Sequence, residues 1–249
     1  MNNLKVIILA AGKGVRMESD LPKVLMKVKG KSMINHLTES VKASGVDKKP
    51  VIVVGYKKEL VMTELGGSYE YVTQEEQLGT GHAVLCTKKT LENKAENIMV
   101  LYGDSPYLHA TTIKKLADEH LESKNKITML TVEVPDFEEW RSFFYKSFSR
   151  IVRDNSGKIL KSVEFKDATD EEKNIKEVNP CYFCFNASWL WEKLNKLENH
   201  NMQKEYYLTD LIKMAIEEGE TIESIKIDPS EALAANSKAE LEILEKFVV

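Results

Sequence analysis

The residues Leu9-Ala10-Ala11-Gly12-Lys13-Gly14-Val15-Arg16-Met17, continuing to Leu21-Pro22-Lys23-Val24-Leu25, carry the clearest chemical signal in the chain. They follow an apolar run, Val6-Ile7-Ile8-Leu9, that reads as a buried strand. Small residues and two glycines after such a strand let the backbone approach a ligand, with main-chain N–H groups turned toward phosphate oxygens. Arg16 and Lys23 add fixed positive charge beside that cradle. The chemistry suited is polyphosphate binding. The spacing is not that of a P-loop, which needs G-x-x-x-x-G-K-[ST]. It is not a dinucleotide fingerprint either, because Met17 stands where the third glycine belongs and Pro22 interrupts the segment. The segment reads as an extended loop laid over a ligand.

Other constellations follow at strand ends. Gln74-Glu75-Glu76-Gln77-Leu78-Gly79-Thr80-Gly81-His82 offers Gln74 and Gln77, whose amides donate and accept together as a nucleobase edge requires. Gly79 and Gly81 would permit close approach, and Thr80 is placed to cap a following helix. The same stretch also reads as a plain capped helix start, with His82 packing or hydrogen-bonding there. Leu101-Tyr102-Gly103-Asp104-Ser105-Pro106 puts a carboxylate beside the phosphate loop. Asp104 is suited to Mg²⁺, with substrate phosphates completing the octahedron, and equally to a turn cap before Pro106. Cys181 and Cys184 lie three apart in an apolar strand-like run, so they face opposite sides, which argues against a redox or zinc pair. Glu164, Lys166, Asp167, Glu177 and Asn179 are read individually as exposed polar positions, and Asp210 sits near the start of a helix.

Elements must position these residues. Apolar β-branched runs predict strands at 5–9, 51–54, 70–73, 98–101 and 127–134, alternating with helices at 32–44, 57–65, 81–91 and 111–123. Gly45 is placed to stop the first helix. This is the pattern of an α/β protein with a Rossmann-like, mostly parallel sheet flanked by helices, whose ligands sit at the carboxyl ends of strands. The second half predicts a mixed or antiparallel sheet extension, with strands at 148–154, 158–165 and 175–185 and a turn at Asn155-Ser156-Gly157. Residues 167–174 form a polar excursion, and helices return at 187–197, 206–218 and 237–247. One domain over residues 1–249 is the simplest division, with a nucleotide-binding half to about 135 and an acceptor-binding half from about 136. The chain has 249 residues, 43% of them hydrophobic, enough for a sizeable core. A net charge of −4 argues against a nucleic-acid binder. Three cysteines suggest no disulfide framework, and no apolar run approaches a membrane span, so a cytoplasmic location is expected.

Taken together, LAAGKGVRM, LPKVL, QEEQLGTGHAV, YGDSP, SRIVRDNSGKI, VEFKDATDEEKNIKEVN and QKEYYLTDLI resemble the uridylyltransferase domain of bacterial UDP-N-acetylglucosamine pyrophosphorylases. They occur in that family's order and cover nearly the whole chain. The resemblance implies a nucleotidyltransferase that moves UMP from UTP to N-acetylglucosamine 1-phosphate, with Mg²⁺ as cofactor and pyrophosphate as the second product. It implies that Leu9, Ala10, Ala11, Gly12 and Gly14 contact the nucleotide, and that Arg16 and Lys23 stabilise the triphosphate and leaving pyrophosphate. Gln74, Gln77, Gly79 and Thr80 would read the base. Tyr102, Gly103 and Asp104 would line the sugar–phosphate junction, with Asp104 on the metal and Asn236 as its second ligand. Ser149, Glu164 and Asn179 would meet the acceptor.

Three positions depart from the family. Its Tyr-Gly-Arg is Phe148-Ser149-Arg150, its Asn-Thr-Gly is Asn179-Pro180-Cys181, and a glycine-containing stretch near the last metal ligand is Leu233-Ala234-Ala235-Asn236. They leave open another sugar 1-phosphate or phosphorylated alcohol as acceptor. A sugar-nucleotide binder without turnover is the alternative of a different class. The chain shows no hexapeptide repeats before Val249, so the acetyltransferase β-helix found in many family members is not expected.

Overall fold

A computed structural model describes residues 4–14, 17, 19–201, 203–235 and 237–246. The strands are β1 (Leu4–Ala10), β2 (Lys27–Val28), β3 (Lys31–Ser32), β4 (Val51–Val54), β5 (Glu70–Thr73), β6 (Asn97–Tyr102), β7 (Ile127–Glu133), β8 (Ser149–Arg153), β9 (Ile159–Val163), β10 (Glu177–Asn179), β11 (Phe183–Asn186) and β12 (Ile222–Ile227). The helices are α1 (Met33–Ser44), α2 (Lys58–Leu65), α3 (Thr80–Cys86), α4 (Lys88–Leu91), α5 (Ala110–Ser123), α6 (Phe143–Ser147), α7 (Asp170–Lys173), α8 (Ala187–Leu194), α9 (Asp210–Glu217) and α10 (Lys238–Lys246).

One large sheet runs in the order β5-β4-β1-β6-β11-β7-β10-β8-β9, with β12 also on β7. The β5-β4-β1-β6 segment is parallel throughout. From β11 to β9 the pairings along this path are antiparallel, while β12 joins β7 in parallel. This is the Rossmann-like α/β fold with a mixed extension expected from the sequence. Parallel strands buried on both faces need apolar side chains on each. Accordingly Val6, Ile8 and Ala10 of β1 join one core cluster with Leu37 of α1 and Leu116 of α5. Ile7 and Leu9 join the other with Val84 of α3 and Leu211 of α9. Gly45 ends α1 in the left-handed region, at φ 72°, as its position suggested.

Several elements differ from expectation, each for a local reason. The strand expected over 175–185 is two strands, because Pro180 has no N–H to pair and Cys181 turns the backbone to φ 67°. Cys181 therefore lies outside the strands, while Cys184 is buried in β11, and all three cysteines are free. The helix expected over 81–91 breaks at Thr87, whose hydroxyl donates to the Val84 carbonyl at 2.7 Å. Thr80 does not cap α3; Gly79 occupies the cap position. The polar excursion at 167–174 contains α7, held by a capping box between Thr169 and Glu172. The helix expected from 206 begins at Asp210, because Tyr206 pairs with the 78–81 segment instead. Strand β12 was not anticipated. Among the described residues no helix is long and apolar enough to cross a membrane.

Candidate active site

The parallel strands bring their carboxyl ends to one edge of the sheet, and the glycine loop leaves β1 there. Register pairs Leu9 with Tyr102 and Ala10 with Val54, so the ends of β1, β4 and β6 are level. Gly103 donates its N–H to the Leu9 carbonyl at 2.9 Å, and a Cβ there would lie 3.1 Å from that oxygen. Tyr56 donates to the Ala11 carbonyl at 3.1 Å. Backbone bonds on both flanks thus hold the loop open over the strand ends. Gly14 has φ +63°, and an added Cβ would sit 2.6 Å from Cβ of Lys23. The glycine is what lets Lys23 fold back against the loop.

A cleft of about 720 Å³ opens at this edge. Of the sequence-predicted residues, Leu9, Ala10, Ala11, Gly12, Gly14, Lys23, Gln74, Gln77, Gly79, Thr80, Tyr102 and Asp104 line it. The structure therefore brings the candidate phosphate, base and metal residues into one cavity. Lys23 Nζ hydrogen-bonds Oδ2 of Asp104, which is 9% exposed. Charge-assisted pairing at a strand end fixes both side chains against the loop. Arg16 and Asn236 lie outside the described residues.

At the other end, Gln74 is buried at 3% exposure. Its Nε2 donates to the Gly79 carbonyl at 3.0 Å and lies 3.0 Å from Nδ1 of His82. Gln77 Nε2 donates to the Gln74 carbonyl at 3.1 Å. Gly79 and Gly81 admit close approach of the chain itself. A Cβ on Gly79 would lie 2.7 Å from the Tyr206 carbonyl oxygen, and Gly81 donates its N–H to that oxygen at 2.8 Å. The Thr80 hydroxyl accepts from the Leu208 N–H at 3.0 Å and hydrogen-bonds Tyr102. Burial, foremost, pushes the Tyr102 phenol well up and keeps it neutral.

The acceptor-side candidates are more dispersed. Glu164 lines an adjoining cavity of about 470 Å³, with Lys146, Lys166, Asp167 and Tyr207. Gln203 lines both cavities and so joins them. Burial, then the charges of Asp210 and Asp167, raise the Glu164 carboxyl above its usual range. Asn179 is fully buried; its Oδ1 accepts from the Cys181 N–H at 2.8 Å, while its Nδ2 has no partner among the described residues. Ser149 and Gly103 do not line the main cleft. Ser149 is buried with its hydroxyl 2.9 Å from that of Ser162.

Phe148, Pro180 and Cys181, at the positions that depart from the family, also wall the cleft, together with Ser105, Glu205 and Ala234, which were not among the candidate site residues. Glu205 belongs to the QKEYYLTD segment, which was legible as a motif but not as a wall. Three residues before Ala234, Glu231 is a buried carboxylate accepting from the His109 N–H and the Thr112 hydroxyl, both at 3.0 Å. Burial pushes the Cys181 thiol far above its ordinary range, so it is protonated at neutral pH.

Residues 6–210 match the MobA-like NTP transferase domain family. The chain is 46% identical over 243 residues to the bifunctional protein GlmU of Carboxydothermus hydrogenoformans, covering 97% of this chain and 52% of that protein. It is 44% identical to the GlmU of Streptococcus gordonii, again over 97% of this chain and 51% of the relative. The chain thus spans about half the length of the curated relatives it matches. A Bacillus anthracis crystal structure assigned as a glucose-1-phosphate thymidylyltransferase, in complex with a sucrose, superposes with a TM-score of 0.78 at 19% identity. That superposition covers 97% of this chain and 94% of the other, and shows a shared fold. With its glycine loop, Lys23–Asp104 pair and carboxamide pocket on one sheet edge, the chain belongs to the MobA-like NTP transferase family and is a nucleotidyltransferase.

Proposed function

We propose that this protein transfers UMP from UTP to N-acetylglucosamine 1-phosphate, giving UDP-N-acetylglucosamine and pyrophosphate. The observation that carries the reading is the single cleft joining the glycine loop and Lys23–Asp104 pair at one end to the Gln74 carboxamide at the other. A nucleoside triphosphate has the same two ends. The resemblance of its motifs to UDP-N-acetylglucosamine pyrophosphorylases supports the uridine nucleotide and the amino-sugar acceptor.

The acceptor's phosphate oxygen attacks the α-phosphorus in line, and the bond to the bridging oxygen of pyrophosphate breaks. That nucleophile is already an anion, so no general base is needed. The protein's part is positioning and charge neutralisation. Lys23 and Arg16 would take up charge on the departing pyrophosphate. Backbone N–H groups of the 11–14 loop would hold the phosphates, while Gln74 and the Gly79–Thr80 turn orient the base. The resemblance implies that Asn179 meets an acceptor hydroxyl; its Nδ2 is a donor without a partner among the described residues, buried and lining neither cavity. Asp104 fits Mg²⁺: one carboxylate oxygen bonds Lys23, and the other has no partner among the described residues. A hard cation takes one or two protein oxygens and completes its shell with phosphates and water. Asp104, with Asn236 as the resemblance implies, would hold the ion, which would supply further charge neutralisation at the phosphates.

A second acceptor class is favoured by one observation. Pro180 and Cys181 form a cleft wall, with Cys181 held at φ 67°, where a side chain is strained. Side chains there, where the family has Thr-Gly, add bulk to that wall and favour a smaller phosphorylated acceptor. The reading is tested with Asp104→Ala, measuring UTP affinity by calorimetry and turnover by pyrophosphate release. Turnover is expected to fall by at least about 10³-fold while UTP affinity falls by less than about tenfold. Near-normal turnover at saturating Mg²⁺ would overturn the role of Asp104.

A further inference from the structure

His82 lies one residue beyond the glycine turn and does not line the cleft, yet its ring decides what the cleft presents to a base. The Gly79 carbonyl can only accept, so the Gln74 amide must turn its nitrogen toward it, at 3.0 Å. The same nitrogen lies 3.0 Å from His82 Nδ1. With one amide hydrogen on Gly79, the other points at His82, and Nδ1 must carry a lone pair. The imidazole proton then sits on Nε2, facing the Cys86 sulfur at 3.8 Å. Both amide hydrogens are spent inside the protein. The Gln74 Oε1 is left with no partner among the described residues, on a side chain that lines the cleft. The adjacent Gly79 N–H likewise has no partner among the described residues.

The cleft therefore offers an acceptor next to a donor. A uracil edge carries a ring N–H flanked by carbonyl oxygens, which complements that pair. A cytosine edge carries a ring lone pair flanked by an amino group, which meets acceptor with acceptor and donor with donor. We infer that His82 is a specificity-determining positioning residue that fixes the Gln74 carboxamide with its oxygen toward the base, selecting a uracil-type edge over a cytosine-type edge. The inference rests on the base-reading role proposed for Gln74. With the His82 acceptor removed, the amide loses one of the two contacts that hold its orientation. A site built on complementary hydrogen bonds rejects the mismatched partner strongly, because buried groups are left unpaired.

The test is calorimetric titration of UTP and CTP into the wild type, His82→Ala and His82→Asn. The wild type is expected to favour UTP. In His82→Ala the ratio of the two affinities falls by about tenfold, the size of one net hydrogen bond. In His82→Asn, whose Oδ1 stands where Nδ1 does and can accept from Gln74, the ratio returns to within about threefold of wild type. A loss of packing alone would weaken both nucleotides and leave the ratio where it was. If His82→Ala fails to fold, His82→Phe takes its place, since its ring keeps the packing and offers Gln74 no acceptor. An unchanged ratio in the folded Ala or Phe variant overturns the inference while leaving the proposed function intact. A wild type with no preference for UTP overturns the base-reading assignment and this inference with it.

Discussion

Replacing Gly79 with alanine should cost stability and disturb base binding together, because this glycine joins two segments of the site. Its φ is +106°, a conformation L side chains rarely adopt, and an added Cβ would lie 2.7 Å from the Tyr206 carbonyl oxygen, 2.8 Å from its nitrogen and 2.9 Å from Glu205 Cβ. The first two are backbone atoms, themselves tied by the Tyr206 N–H to Leu78 carbonyl bond and the Gly81 N–H to Tyr206 carbonyl bond, both 2.8 Å. The obstruction therefore cannot yield by a side-chain rotation. Backbone strain costs about 1–3 kcal/mol and overpacking a similar amount. The sum, about 2–6 kcal/mol, is a large share of a typical total of about 5–15 kcal/mol. For a chain of this size, at about 2–4 °C per kcal/mol, it should lower Tm by about 4–24 °C. Scanning calorimetry measures it directly, with Gly67→Ala as the control, since a Cβ there meets nothing within 4 Å. If Gly79→Ala melted within about 1 °C of wild type, the claim that this glycine exists for close backbone approach would be refuted.

Two further outcomes are expected. His120 is buried between the Thr128 hydroxyl, 2.8 Å from Nδ1, and Asn97 Oδ1, 3.1 Å from Nε2, and burial lowers its pKa from 6.5 to about 4. The unfolded chain then binds the proton more readily, so stability falls as pH drops from about 6.5 to about 4, by up to about 3 kcal/mol. Urea unfolding at pH 7 and pH 4 should show that loss, and His120→Gln should reduce the pH dependence; an identical dependence in the variant contradicts the assignment. Arg150 is fully buried and donates to the carbonyls of Phe144, Tyr145, Phe148 and Lys173, with the rings of Phe137, Tyr145 and Phe165 around its guanidinium. Arg150→Met should cost about 3 kcal/mol by orphaning those carbonyls. Arg150→Lys should fail to restore it, because one ammonium cannot replace the fork, and a Lys variant with wild-type stability would show that reasoning wrong.

The nucleotide half was legible because its signals are local. Apolar runs at Val51–Val54 and Glu70–Thr73 mark their strands to the residue, and Gly45 marks the end of α1. The glycine loop could be placed at a strand end because an apolar strand precedes it. The misses come from partners remote in sequence. Ile222–Ile227 is a strand because β7 lies beside it, and neither its length nor its flanks announce that. Gly79 and Gly81 carry the ordinary signature of a ligand loop, whereas their neighbour is Tyr206, more than a hundred residues away. Ser149 faces Ser162 across a hairpin, which no motif records. The helix α7, by contrast, had a readable signal in Thr169 and Glu172, three apart, obscured by the polarity of the segment.

The cleft joining the glycine loop, Lys23, Asp104 and Gln74 is proposed to perform uridylyl transfer to an amino-sugar 1-phosphate. The direct measurement is pyrophosphate release with Mg²⁺, offering UTP, CTP, dTTP and ATP against N-acetylglucosamine 1-phosphate and a panel of other phosphorylated sugars and alcohols. Release is expected with UTP and N-acetylglucosamine 1-phosphate, fastest of the panel. Release only with another acceptor would contradict the assigned substrate and point to the wall made by Pro180 and Cys181. No release with any pair would contradict the proposed activity.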